Sequence, residues 1–371
     1  MVSGRGVDND VIRTEGVGDG PEREADRRVR PLPLPANQPR HFYRGGSSIA
    51  RFRGLRPPDD RRPEDWVGSA TGRIDDASAG VTVLPDGRRL PDAVAADPLA
   101  WLGPGHLRRW GTSTALLVKL LDAGQRLPVH CHPSRAFARA HLGSAFGKTE
   151  AWLVLETADP GGGWVRLGFR DEIPEERLRV WSAEQDVGAM LSATNLVRVR
   201  AGDAVLIPAG LPHSIDAGVF VVELQEPTDF SVMLEWKGFA PDGDESGHLR
   251  LGWDVALRCV DRRAWTPDRV ATLVRTRDQT PVTGGGARRV LPEAADPFFR
   301  AELAGDETVF SPSFAVLVVL RGEGELRFDG GSQRVRSGQT VLVPYSAGPT
   351  SLHGRGLDVL RCLPPSPEEA G

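Results

Sequence analysis

The chain has 371 residues, of which 40% are hydrophobic and 26% are charged. A chain of this composition buries at least one large core, so disorder over most of its length is excluded. The formal net charge is -4, from 46 basic and 50 acidic side chains, and it gives no overall attraction to nucleic-acid phosphates or to anionic lipid. We therefore expect neither a nucleic-acid partner nor a membrane partner.

Cysteine usage and the N-terminus bear on the cellular compartment. Cys131, Cys259 and Cys362 are scattered and form no CxxC pair, so they do not indicate a disulfide framework. The first twenty residues lack the apolar core of a signal peptide, and no stretch reaches the ~18 apolar residues of a membrane span. These features predict a soluble, cytoplasmic protein, and they leave its oligomeric state open.

Residues 1–37 carry the charged run PEREADRRVR followed by PLPLPANQP, which predicts a disordered N-terminal tail. From His41 onward, short apolar runs alternate with glycine, proline and aspartate turns, as is typical of a β-sandwich or β-barrel. Helices are predicted only near residue 100, over 172–191, over 248–265, and from a cap at Thr266.

An internal repeat organises the rest of the chain. VRAGDAVLIP at 199–208 returns as VRSGQTVLVP at 335–344, and AWLVL at 151–155 resembles AVLVV at 315–319. In the first pair, each copy is a turn glycine followed by a buried strand that ends at a proline. We predict a mainly β fold of two jelly-roll barrels joined by a small helical segment. The predicted divisions are the tail (1–37), a first barrel (38–245), a helical connection (246–284) and a second barrel (285–371).

A candidate metal site lies in the first barrel. His130 and His132 flank Cys131 in LPVHCHP, and alternate side chains of a strand face the same side. Glu150 and His213 stand beside turn residues at strand edges that can face the same interior. Three imidazoles and one carboxylate suit zinc, manganese, iron or nickel. The alternative is that these histidines are packed or surface rings and that Glu150 is a solvated charge.

The second copy of the repeat differs at these positions. Carrying the repeat forward places Pro349 opposite His213 and Phe314 opposite Glu150. Neither proline nor phenylalanine binds a metal. The second barrel is therefore predicted to lack the metal ligands.

Seven motifs point to a known family: RGGSSIARF (44–52), DWVGSAT (65–71), LLVKLLDA (116–123), VHCHPS (129–134), GKTEAWLVLE (147–156), IPAGLPHSI (207–215) and VELQEPTDFSV (222–232). With these motifs, residues 38 to about 260 resemble the class I mannose-6-phosphate isomerases, a zinc-dependent family of the cupin superfamily. The GKTE motif, followed about 60 residues later by PAG and a histidine, is particular to that group.

The resemblance implies a set of site residues. The metal ligands fall on His130, His132, Glu150 and His213, and a single divalent ion is expected: Zn2+ first, with Mn2+, Fe2+ and Ni2+ as alternatives.

Three further residues fall on catalytic or substrate-binding positions of the family. Lys148 is a candidate proton carrier, or a counter-charge to Glu150, and Lys119 is a candidate anchor for substrate oxygens or phosphate. Asp229 is a candidate partner of a sugar hydroxyl, or a structural turn residue. Lys119, Lys148 and Lys237 are the only lysines in a chain that otherwise uses arginine.

The chain departs from the family pattern at two positions. His130 stands where the family usually has glutamine, which makes the ligand set richer in nitrogen. Met233 stands where the family has an arginine that contacts the substrate, and Lys237 is a candidate to compensate for it. The second departure puts both the rate and the phosphorylated substrate in question.

The leading hypothesis is a metal-dependent aldose–ketose isomerase that interconverts mannose 6-phosphate and fructose 6-phosphate through an enediol. Two alternatives are an isomerase or epimerase of an unphosphorylated or modified sugar, which Met233 would allow, and a sugar-binding cupin without catalysis. A further alternative is an oxygen-dependent iron enzyme, which the ligand set also suits.

Overall fold

The computed structural model describes Met1 and residues 29–239, 244–279 and 286–367. Most of the predicted tail, residues 2–28, and part of the predicted helical connection lie outside the described residues. Within the described chain the structure is mainly β, as the sequence predicts.

The strands vary in length from two residues to fourteen. They are β1 (Leu32–Leu34), β2 (Glu64–Val67), β3 (Leu117–Asp122), β4 (His130–Cys131), β5 (Glu150–Thr157), β6 (Gly163–Phe169), β7 (Thr194–Val199), β8 (Ala204–Ile207), β9 (His213–Ile215), β10 (Val219–Gln225), β11 (Val232–Met233), β12 (Val274–Arg275), β13 (Arg288–Arg289), β14 (Arg300–Ala304), β15 (Val309–Phe310), β16 (Ala315–Phe328), β17 (Gly331–Arg336), β18 (Thr340–Val343) and β19 (Thr350–Leu363).

The helices are short and lie mostly between strands of the first two-thirds of the chain. They are α1 (Ser48–Arg53), α2 (Leu90–Ala96), α3 (Pro98–Leu102), α4 (Pro104–Trp110), α5 (Arg135–His141), α6 (Glu175–Glu184), α7 (Val187–Ala193), α8 (Asp244–Gly247), α9 (Trp253–Ala256) and α10 (Pro267–Ala271). The predicted cap of α10 is present, because the Thr266 side chain accepts a hydrogen bond from the Arg269 backbone N–H. No described helix combines the length and the apolar character needed to cross a membrane.

The strands form three antiparallel sheets. One has six strands in the order β12-β8-β5-β10-β3-β2, and a second has five in the order β11-β4-β9-β6-β7. The third has eight strands along the path β1-β18-β16-β19-β14-β13, with β15 beside β19 and β17 beside β16. Apart from β1, the third sheet is built only from residues after 287.

The six-stranded sheet is the middle layer because both of its faces are apolar. Leu120 belongs to the core that contains Val316 of the eight-stranded sheet. Its neighbour Leu121 points the opposite way, into the core that contains Val165 and Ile215 of the five-stranded sheet. Because successive side chains of a strand point to opposite faces, the six-stranded sheet also contributes to a second core, between itself and the five-stranded sheet.

The internal repeat corresponds to equivalent pieces of structure. Gly202 and Gly338 both have positive φ, 94° and 83°, in the turns that precede β8 and β18. A side chain would strain the backbone there, which explains the glycine in both copies. β8 pairs antiparallel with β5, and β18 pairs antiparallel with β16, so the two echoed segments are neighbours in each copy.

The prediction of a disordered tail is wrong for its last residues. Leu32–Leu34 form β1, which pairs antiparallel with Thr340–Leu342 of β18, and the Leu34 side chain is buried. The Pro-Leu alternation suggests an extended arm, and Pro33 is tolerated because β1 is an edge strand. The charged composition of the tail predicted disorder, but burial of the Leu34 side chain stabilises this short strand.

Candidate metal centre and the adjoining pocket

Strand register places the predicted histidines side by side. In the five-stranded sheet, Met233 on β11 lies opposite His130 on β4, and His130 lies opposite His213 on β9. His132 follows β4 on the same face as His130. The centroids of the three imidazole rings lie 4.1 to 4.9 Å apart.

Each imidazole is oriented by a backbone carbonyl. The Nδ1 atoms of His130, His132 and His213 lie 2.8, 2.8 and 2.7 Å from the carbonyl oxygens of Pro128, Phe230 and Leu211. A carbonyl can only accept, so each Nδ1 carries a proton, which directs Nε2 toward the other rings as the atom that can bind a metal. Burial lowers the pKa of His132 to about 3 and that of His130 well below its ordinary value, so both rings are neutral near pH 7.

Glu150 closes the cluster from the facing sheet. Its Oε2 lies 3.0 Å from His132 Nε2, and its Oε1 lies 3.4 Å from His213 Nε2. Within the described structure, Glu150 Oε2 and His213 Nε2 are buried without a hydrogen-bond partner. Carboxylate oxygens therefore face imidazole lone pairs, an arrangement that a cation between them would stabilise.

The geometry fits a divalent metal ion. One ligand atom from each of the three histidines falls within 4.8 Å of the other two, and all three side chains are buried. Neutral, carbonyl-oriented imidazoles with inward Nε2 lone pairs are the usual form of metal-binding histidine.

Lys148 adjoins this cluster. Its Nζ lies 3.3 Å from His132 Nε2 and 3.4 Å from Glu150 Oε2. The side chain is buried, so its ammonium group lies beside these two predicted ligands and does not extend into solvent.

The other predicted lysine, Lys119, belongs to a second polar cluster. In the six-stranded sheet Lys119 lies opposite both Trp66 and Glu223, and Glu223 lies opposite Trp152. Lys119, Glu223 and Trp152 of this row line the same cavity as His130. Lys119 Nζ lies 3.1 Å from Glu64 Oε2, 3.5 Å from Glu223 Oε1 and 4.6 Å from the centre of the Trp66 ring.

Glu64 is the hub of this second cluster. Its carboxylate accepts hydrogen bonds from Tyr43 Oη at 2.5 Å and Trp66 Nε1 at 2.7 Å, and its Oε2 lies 3.3 Å from His41 Nε2. Burial would raise the pKa of Glu64, but the charges of His41 and Lys119 and these hydrogen bonds hold that pKa well below its ordinary value. Burial by itself would lower the pKa of Lys119, but Glu64 and Glu223 raise it above its ordinary value. Glu64 and Lys119 are therefore both charged.

Glu223 behaves differently. Burial, followed by the nearby charge of Glu150, raises its pKa from 4.5 to about 7. In metal-free protein the folded state therefore keeps the Glu223 proton between about pH 4.5 and 7, while the unfolded chain releases it.

We expect the free energy of unfolding to fall as the pH rises through that interval, and the E223Q variant to show a smaller fall. Urea unfolding at several pH values measures this free energy. If it depends on pH in E223Q as it does in the wild-type protein, Glu223 is not the group that holds the proton.

Both clusters line one cavity of about 740 Å3 between the two sheets. His130, Lys148 and Glu150 lie on its wall together with Glu64, Lys119 and Glu223. Asp229 also lines it and accepts a hydrogen bond from the Ile74 backbone N–H at 3.2 Å. Lys237, the predicted substitute for the missing arginine, is exposed and is not among the residues that line this cavity.

Sequence reasoning missed Glu64, Glu223, His41 and Tyr43. Glu64 directly precedes the DWVGSAT motif, and Glu223 lies inside VELQEPTDFSV. Alternation offered a signal, since Glu64 and Trp66 share one face of a strand. Pairing with Lys119 depends on strand order, which no local pattern shows.

Comparisons with known proteins agree with this architecture. No protein-family model matches the chain. The mannose-6-phosphate isomerase of Streptococcus mutans serotype c is 32% identical over 189 residues, which are 50% of this chain and 54% of that protein. The mannose-6-phosphate isomerase ManA of Bacillus subtilis is 27% identical over 320 residues, or 84% of this chain and 92% of that protein. The matched region thus spans about half the length of the first relative and most of the second.

Solved structures show the same fold. The mannose 6-phosphate isomerase of Bacillus subtilis superimposes with a TM-score of 0.67 at 17% identity, covering 90% of this chain and 99% of that chain. The three-layer arrangement of this chain is therefore the fold of the phosphomannose isomerases. The chain is a relative of the mannose-6-phosphate isomerases, which confirms the resemblance that its motifs predict.

Proposed function

We propose that the protein is a metal-dependent aldose–ketose isomerase that interconverts mannose 6-phosphate and fructose 6-phosphate. The observation that carries the proposal is the cluster of His130, His132, His213 and Glu150 at the wall of a cavity that Lys148 also enters. The relatives named mannose-6-phosphate isomerase support the same chemistry.

The four ligands would hold one divalent ion, which when bound supplies Lewis acidity to the oxygens on C1 and C2 of the sugar. Three imidazoles and one carboxylate are ligand types that would suit Zn2+. Mn2+, Fe2+ and Ni2+ are the alternatives, and the imidazole of His130, where the family has glutamine, favours ions that prefer nitrogen.

Isomerisation moves a proton between C2 and C1 through an enediol, and a positioned group must carry it. Lys148 is the proposed carrier, since its Nζ lies within 3.4 Å of two ligand side chains and reaches the cavity. Lys119, held by Glu64 and Glu223, is proposed to orient sugar oxygens with a fixed ammonium group. Asp229, which lines the same cavity, is proposed to hydrogen-bond a sugar hydroxyl.

We also propose that the sheets correspond to two cupin barrels, over residues 38–245 and 285–371, with a helical connection over 246–284. The repeated β5–β8 and β16–β18 pairs support this division. The second unit is proposed to bind no metal, since buried Phe314 stands just before β16 where Glu150 begins β5.

The direct test is conversion of fructose 6-phosphate into mannose 6-phosphate by purified protein. We expect turnover, loss of turnover after chelation, and recovery when one divalent metal is restored. Metal content per chain, measured on the same samples, identifies the ion. Absence of product at every metal loading would reject this substrate.

One observation favours a second substrate class. Met233 is 5% exposed and lines the cavity beside His130, so this wall is apolar where the family has an arginine. An unphosphorylated sugar would need no cation there. Turnover of free mannose or fructose at a rate equal to that of the phosphates would favour this class.

A further inference from the structure

The cationic side chains that line the cavity differ in their partners. Among the residues that the structure describes, five lysines and arginines line it: Arg40, Arg73, Lys119, Lys148 and Arg250. Arg40 lies 3.0 Å from Asp59, and Arg73 lies 2.7 Å from Asp75. Lys119 and Lys148 are paired with Glu64 and Glu150 as described above. Four of the five positive charges are therefore already compensated.

Arg250 is the exception. Across the described part of the chain, its side chain forms neither a hydrogen bond nor an ion pair, although it lines the cavity. It is exposed, so its guanidinium group stands at the mouth of the cavity and not among the metal ligands. A guanidinium group that is always charged and has several free N–H donors suits a phosphate group.

The backbone around Arg250 supports a constrained position. Leu249 and Arg250 have φ values of 55° and 59°, and two successive residues other than glycine in this region are uncommon. The same segment is packed onto β11: a side chain at Gly247 would come within 3.2 Å of the Met233 carbonyl oxygen. The turn thus brings Arg250 to the cavity from beside the strand whose apolar Met233 lines the same wall.

We propose that Arg250 determines specificity for a phosphorylated sugar by binding its terminal phosphate at the cavity mouth. The proposal rests on the proposed function of this cavity, since the sugar carbons would lie toward the histidine cluster and the phosphate at the far end. Arg250 would then provide the cation that Met233 does not.

Binding, measured apart from turnover, tests the proposal. Calorimetry would compare glucitol 6-phosphate with glucitol, neither of which can be isomerised, on wild-type protein, R250A, R250K and K237A. Lys237 is the matched control because it is a nearby exposed cation outside the cavity lining. We expect R250A to weaken the binding of glucitol 6-phosphate about 10- to 100-fold, the usual effect of losing hydrogen bonds to a charged group. Glucitol binding should be unchanged, R250K should recover part of the affinity, and K237A should resemble wild type.

Three results would overturn the inference. One is a wild-type protein that binds glucitol and glucitol 6-phosphate equally well, or that binds neither of them. Another is an R250A variant that keeps full affinity for the phosphate. The third is an equal loss for both ligands, which would indicate a structural role for the turn. If the protein shows no isomerase activity but R250A still weakens the binding of glucitol 6-phosphate, the proposed function is rejected and the role of Arg250 in phosphate binding stands.

As a further check, M233R in the R250A background should restore part of the lost affinity for glucitol 6-phosphate, because position 233 lines the same wall.

Discussion

The H132A variant is expected to lose metal and at least 100-fold of any isomerase activity, because His132 lies at the centre of the site. Its Nε2 lies 3.0 Å from Glu150 and 3.3 Å from Lys148, and its Nδ1 is fixed by the Phe230 carbonyl. Metal content per chain and the initial rate with fructose 6-phosphate measure the two effects.

The matched control is H353A, since His353 lies on β19 of the eight-stranded sheet and is not one of the clustered histidines. The control should keep its metal. The thermal midpoint adds a readout independent of turnover, because added metal should stabilise wild-type protein and H353A but not H132A. An H132A protein with a full complement of metal would remove His132 from the ligand set.

The E64Q variant is expected to lose about 3 to 5 kcal/mol of unfolding free energy, the usual cost of removing one partner from a buried ion pair. Glu64 is 5% exposed and contacts Lys119, Tyr43, Trp66 and His41. With a neutral amide at this position, Lys119 retains only Glu223 as an ion-pair partner among the described residues, at 3.5 Å.

Urea unfolding of metal-free protein measures this loss. E156Q provides a control, because the Arg51–Glu156 pair has the same charges but both side chains are at least half exposed. Its effect should stay below about 1 kcal/mol. A loss in E64Q no larger than that of E156Q would show that the buried cluster contributes little to stability. Replacing Lys119 by methionine in E64Q should recover part of the loss, since no unpaired ammonium would remain buried.

The clustered histidines and Glu150 could be proposed as metal ligands from strand alternation and from the internal repeat. His130 and His132 share a strand face by period 2 alone, and the repeat contrasted Glu150 and His213 with Phe314 and Pro349. The mainly β character followed in the same way from short apolar runs between turn residues.

The Glu64 cluster could not be predicted because it depends on which strands are neighbours. Lys119 is adjacent to both Trp66 and Glu223 only since β3 lies between β2 and β10 in the sheet. The surroundings of Lys119, and hence its raised pKa, follow from that strand order. The position of Arg250 depends on a turn with two successive positive φ values, for which Leu249 and Arg250 carry no sequence signal.

The pairing of β1 with β18 has a consequence for how the protein can be shortened. Leu32–Leu34 come from the start of the chain but cover the outer edge of a sheet built from its end. A version that starts at residue 38 would expose the unpaired N–H and C=O groups of β18, and exposed strand edges recruit strands from other molecules. Deleting this proline-rich arm is therefore expected to promote self-association of the C-terminal sheet, which does not contain the histidine strands.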